Sequence, residues 1–148
     1  MRILTRNNQR TVDIDLARIE LISSRILKML GDEDYEISIT LVDDAGITEI
    51  NKQYLGRDCP TNVISFPMNE GEFADVNPTM LGDIILSTET ALRDAESGGL
   101  YPEDEIDYLL IHGVLHLMGY DHKLPEEAEK MIKKEKEIFF ALKGYHLE

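Results

Sequence analysis

The sequence predicts an α+β fold in which a small mixed four-stranded sheet packs against helices and one helix crosses the core. Three observations carry that prediction. Short alternating stretches and helical periodicities follow one another in irregular order, as in a mixed sheet backed by helices. The segment 106–118 is apolar around most of a helical circumference, the pattern of a buried helix. The 148 residues, 43% hydrophobic and 30% charged, suit a single globular domain covering residues 1–148. A chain of this length buries roughly two thirds of its unfolded surface, so it folds without a disulfide or a structural metal.

Ile3 and Leu4 open the first strand. Ile14, Leu16, Ile19, Ile22, Ile26, Leu27 and Leu30 then recur at helical spacing, and Gly31 stands where that helix stops. Residues 35–42 alternate apolar with polar side chains and read as a half-buried strand. A short helix covers 47–54. Residues 62–66 lie between Pro60 and Pro67, which favour a strand at a sheet edge. The stretch 68–80 contains Gly71, Asn77 and Pro78 and reads as a loop. Residues 82–86 return to strand, and Ser87 is placed to cap a helix that ends at Gly98 and Gly99. Pro102 suits the first turn of the next helix, where Glu103, Asp104 and Glu105 complement the positive end of its dipole. That helix runs to Met118. A last amphipathic helix spans 125–142 and stops at Gly144.

Composition excludes several classes of function. Cys59 is the only cysteine, so no internal disulfide forms, and this usage fits a reducing compartment. The first twenty residues lack the apolar core of a signal peptide, and the apolar-rich stretch 109–118 is too short to span a bilayer. The expectation is a cytoplasmic protein with no membrane partner. Fifteen basic against 29 acidic residues give a net charge of −14, which argues against non-specific nucleic-acid binding, DNA included. Residues 1–30 differ, with Arg2, Arg6, Arg10, Arg18, Arg25 and Lys28 set against Asp13, Asp15 and Glu20. They form either a local basic face or an ordinary solvated helix surface.

The chemistry concentrates in one segment. Three of the four histidines fall within HGVLHLMGYDH: His112, His116 and His122; the fourth, His146, reads as a surface residue. His112 and His116 are four apart on a helix, so their rings share one face. Gly119 can adopt the left-handed conformation that ends the helix, and His122 then returns to the same point. Three imidazoles in the most apolar part of the chain would each need a partner, at about 1–3 kcal/mol for every unsatisfied group. One metal ion satisfies all three and leaves a fourth position open, as in a catalytic zinc site. Imidazoles also accept nickel, copper or cobalt. The spacing matches the H-E-x-x-H-x-x-G-x-x-H pattern of metzincin peptidases, implying a zincin-like domain. Gly113 stands where those peptidases carry their glutamate base, so peptidase chemistry lacks its proton acceptor.

The same residues resemble the signature of the YbeY family of bacterial metal-dependent endoribonucleases. NKQYLGRDCPTNVISFP at 51–67 and LGDIILS at 81–87 agree with that family in order and spacing, as does the last helix with Glu129, Met131 and Glu135. The resemblance covers roughly residues 40–142. It implies that His112, His116 and His122 hold one zinc ion per chain, with His112 in the catalytic machinery. It also implies cleavage of single-stranded ribosomal RNA in 16S rRNA 3′-end maturation and ribosome quality control, with the ribosome or small-subunit proteins as partners. The family carries an arginine where this chain has Leu55; Arg57, two positions later, is the guanidinium available to pair with phosphate. RNA is expected along strand 62–66, and Asp121 or Glu105 are candidates to orient a ligand ring. Asp83 and Ser65 are weaker candidates, and Cys59 reads as an inert small residue. Two other classes stay open: a ribosome-assembly protein with a largely structural zinc site, and a divergent metallopeptidase.

Overall fold

A computed structural model describes residues 2–31, 34–68 and 79–147. In chain order these form β1 (Arg2–Asn7), α1 (Leu16–Met29), β2 (Glu36–Val42), α2 (Asp44–Leu55), β3 (Val63–Pro67), β4 (Met80–Ser87), α3 (Thr88–Gly98), α4 (Pro102–Leu117) and α5 (Pro125–Lys143). The expected four-stranded mixed sheet is present, in the order β1-β2-β4-β3. β1, β2 and β4 are mutually parallel, while β3 runs antiparallel to β4 at the edge that its flanking prolines favour.

The alternation in β2 sends Ile37, Ile39 and Leu41 to one face, where they are fully buried with Ile84 and Leu86 of β4. Ile19, Ile22, Ile26 and Leu27 of α1 cover that face, and the Asp15 carboxylate caps the helix by accepting from the Ala17 and Arg18 amides. Each fully buried Leu or Ile contributes about 1.5–3 kcal/mol. α4 lies in the same core: Ile106, Leu110, Ile111, Val114, Leu115 and Leu117 are all buried, as the circumferential pattern predicts. α5 closes over α4 with Met131, Ile138 and Phe139. A smaller cluster of Val42, Ile47 and Ile64 holds α2 against the sheet.

One buried ion cluster ties three helices together. Asp107 of α4 is fully buried and takes Arg18 of α1 at 2.5 Å and Lys143 of α5. Lys143 also reaches Asp104 at 2.9 Å. Arg18 therefore points inward, and the basic residues of the first segment do not act together as one face.

Two element starts differ from the sequence reading by more than one residue. α2 begins at Asp44, three residues early, because the Asp43 carboxylate accepts from the Gly46 amide at 2.8 Å and supplies an N-cap. β4 begins at Met80, inside the stretch read as loop, because Glu36 pairs with Met80. The rest of that expected loop, residues 69–78, lies outside the described residues.

Candidate metal centre

α4 delivers the first two histidines to one point. His112 and His116 stand one turn apart with their Nε2 atoms 3.1 Å from each other. The helix then ends in a tight turn: Gly119 takes φ 99°, and the Tyr120 amide donates back to the Leu115 carbonyl at 3.0 Å. A side chain at Gly119 would disfavour that left-handed backbone, so this glycine is required by conformation. The reversal brings the His122 ring to 5.1 Å from His116 and 6.1 Å from His112, centroid to centroid. One ligand nitrogen from each of the three histidines then lies within 4.8 Å of the others.

The outer ring nitrogens are already committed. His112 Nδ1 is 2.5 Å from the Glu135 carboxylate, whose second oxygen accepts from the Tyr108 hydroxyl at 3.0 Å. His116 Nδ1 lies 3.0 Å from the Tyr120 carbonyl. Both partners are acceptors, so the hydrogen-bond pattern assigns the proton to Nδ1 on each ring and leaves Nε2 bare. With both rings neutral, two Nε2 lone pairs face each other at 3.1 Å. Burial, reinforced by repulsion from His112 and His122, holds His116 below the usual histidine range, which keeps its lone pair available at neutral pH. A shared cation resolves this arrangement. Tetrahedral zinc with bonds of about 2.0–2.1 Å separates its nitrogen ligands by about 3.3 Å, close to the spacing found. The donor set fits a metal ion of this kind.

The histidines form one wall of an open cavity of about 700 Å³, whose opposite wall is the edge strand β3 and the segment 57–62. Arg57 lines it, exposed, as do Leu55 and Cys59. The segment is held down by Asn51, a buried residue whose side-chain amide donates to the Cys59 carbonyl at 2.9 Å while its backbone carbonyl accepts from the Arg57 amide. Ser65 also lines the cavity, and its hydroxyl donates to the Gly113 carbonyl at 3.2 Å, stitching β3 to α4. Asp83 is not part of it: it faces the other side of the sheet, beside Arg6 and Phe66.

Neither acid expected to orient a ligand ring does so. Asp121 turns back to accept from the His122 amide at 2.7 Å, a local turn contact. Glu105 lines a different cavity, nearer the start of α4. Helical-wheel proximity places Glu105 near His112 in angle, but two turns of rise separate them. Glu135 holds His112 instead. Its signal in the sequence is a carboxylate on the apolar stripe of α5, in register with Met131, Ile138 and Phe139. Nothing local connects that stripe to a histidine 23 positions earlier.

Gly113 packs against the sheet. A Cβ there would lie 3.1 Å from Ile84, so the position reserved for a glutamate base in metzincins faces the core and has no room for one.

A family model described as "Endoribonuclease YbeY" matches residues 4–143. The chain belongs to the YbeY endoribonuclease family. Among YbeY proteins, that of Syntrophus aciditrophicus is 51% identical over all of this chain and 94% of its own length. That of Geobacter metallireducens is 47% identical over 96% of both chains. A Thermotoga maritima protein solved in solution has 25% identity and a TM-score of 0.67, covering 96% of this chain and 89% of its own. The expected enzyme class, a hydrolase of the endoribonuclease type, is met by this family membership. Among the described residues no helix is long and apolar enough to cross a membrane.

Proposed function

We propose that this chain is a zinc-dependent, single-strand-specific endoribonuclease acting in 16S rRNA 3′-end maturation and ribosome quality control. The observation that carries the reading is the convergence of one ring nitrogen from each of His112, His116 and His122 within 4.8 Å of one another, beside an open cavity. In this reading residues 1–148 act as one zincin-like hydrolase domain in the cytoplasm, with ribosomal RNA as substrate and small-subunit proteins as partners. His112, His116 and His122 hold the metal. Bound there, zinc supplies Lewis acidity toward a phosphoryl oxygen and activates water near neutral pH. Glu135 and the Tyr120 carbonyl keep the ligand rings in the binding tautomer. Arg57 reaches across the cavity mouth to pair with the scissile phosphate and offset the charge that develops on it. β3 guides the strand past the histidines. The substitution at Leu55 removes the family's guanidinium, so Arg57 carries that role alone.

The charge of −14 favours an enzyme that meets RNA through a partner, and it also supports the reading as a ribosome-assembly protein with a structural zinc. Structural sites are closed by four protein ligands, whereas among the described residues this one gathers three histidines on an open cavity. End-labelled single-stranded RNA ending in the small-subunit 3′ sequence separates the two. Cleavage by the wild type and none by His116→Ala supports the nuclease. Absence of cleavage by both, with zinc bound, leaves the assembly role.

A further inference from the structure

A second cavity, of about 750 Å³, lies nearer the start of α4 than the histidines, between the end of α3, α5 and the segment 145–147. Its walls include the apolar side chains Leu100, Ile132 and Leu147. Glu105 lines it and is only 8% exposed. Among the described residues the Glu105 carboxyl makes no hydrogen bond and no ion pair. The Glu105 side chain is mostly enclosed while its carboxyl oxygens stay open to the cavity, and a carboxylate so placed normally has a partner. The other buried acid here, Glu135, has both oxygens taken by His112 and Tyr108. Lys136 and His146 also line the cavity, but both are exposed, and the His146 ring stacks on Phe140 at 4.1 Å.

We propose that this cavity binds an organic cation, a guanidinium or primary ammonium on an apolar chain, with Glu105 as its counter-ion. One free carboxyl among apolar walls suits such a ligand. A hard divalent ion needs several oxygens, and only Glu105 is uncommitted. A guanidinium also meets a carboxylate through two parallel hydrogen bonds. The occupant is either an arginine or lysine side chain of a partner protein or a free polyamine. Tyr108 and Glu135 line the same cavity, so the occupant sits one side chain away from His112.

Amide NMR of the ¹⁵N-labelled, zinc-loaded protein tests this with three probes: N-acetyl-arginine amide, spermidine and the neutral N-acetyl-norleucine amide. The expected result is saturable shifts at Leu100, Tyr108, Ile132 and Leu147 with a cationic probe, at a Kd of about 1 mM or tighter. Tighter binding of the arginine derivative assigns the site to a protein side chain, and tighter binding of spermidine assigns it to a polyamine. Glu105→Gln keeps the volume, removes an unpartnered charge and should weaken binding at least about tenfold. Absence of shifts with both cations up to about 10 mM overturns the proposal, as does equal binding by the neutral probe or by Glu105→Gln. The comparison of charged with neutral probes on the wild type decides the matter even where a variant fails to fold.

Discussion

Glu135 does for His112 what the Tyr120 carbonyl does for His116. Each occupies Nδ1 and so turns Nε2 toward the shared point. Glu135→Gln keeps the shape but weakens the acceptor, and it should lower zinc affinity by about 10–100-fold, read by competition with a chromophoric chelator. Tyr108→Phe removes a hydrogen bond to the same carboxylate at a cost of about 1 kcal/mol, and its effect on zinc affinity should be the smaller. Arg57→Ala should reduce RNA cleavage by about tenfold or more while zinc binding stays unchanged, a separation that assigns Arg57 to the phosphate. The three histidines were legible in the sequence because their spacing is local to one helix and one turn. Glu135 was legible as part of the family-like last helix, without a role. Its partner is set by how α5 packs on α4, which no local pattern encodes.

At the scale of the elements, the approach of α4 to β4 decides both the fold and the chemistry. Gly113 brings the helix backbone close to the Ile84 side chain, and Gly113→Ala should gain less in thermal or denaturant unfolding than the about 1 kcal/mol that alanine brings to an open helix position. A glutamate there would fare worse and still point away from the histidines. Helices and strands were legible wherever periodicity and end signals agreed, as at Ser87 and Pro102. The missed boundaries have physical causes. Asp43 caps α2 before its first apolar residue, and Met80 is drawn into the sheet by Glu36, a partner 44 positions earlier. Strand order is likewise a matter of distant pairing, although the prolines around β3 did mark it as an edge.

The whole molecule carries a charge of −14, and its stability rests on several engaged acids. Asp44 joins α2 to α3: burial pushes its carboxyl up, but hydrogen bonds from Thr90 and Ser87 and the Arg93 guanidinium bring it below the usual range. A carboxyl lowered by folding stabilises fully above its unfolded value of about 3.9, and that contribution is lost as pH falls through the folded value. Asp104, held low by Tyr145 and Lys143 despite its burial, acts in the same sense. Unfolding free energy should therefore be insensitive to these groups near neutrality and fall below about pH 4, with Asp44→Asn showing a weaker acid dependence. The metal-site cavity presents one arginine among its lining residues. RNA binding should accordingly show a shallow salt dependence, a slope of roughly −1 to −2 in log Kd-derived affinity against log salt. The proposed chemistry depends on His112, His116 and His122 together holding one metal ion. Equilibrium dialysis against zinc followed by elemental analysis tests it most directly, on the wild type and on each histidine replaced by alanine. One zinc per wild-type chain, with affinity at least about tenfold weaker in all three variants, is the predicted result. Unchanged zinc content in His116→Ala would contradict it.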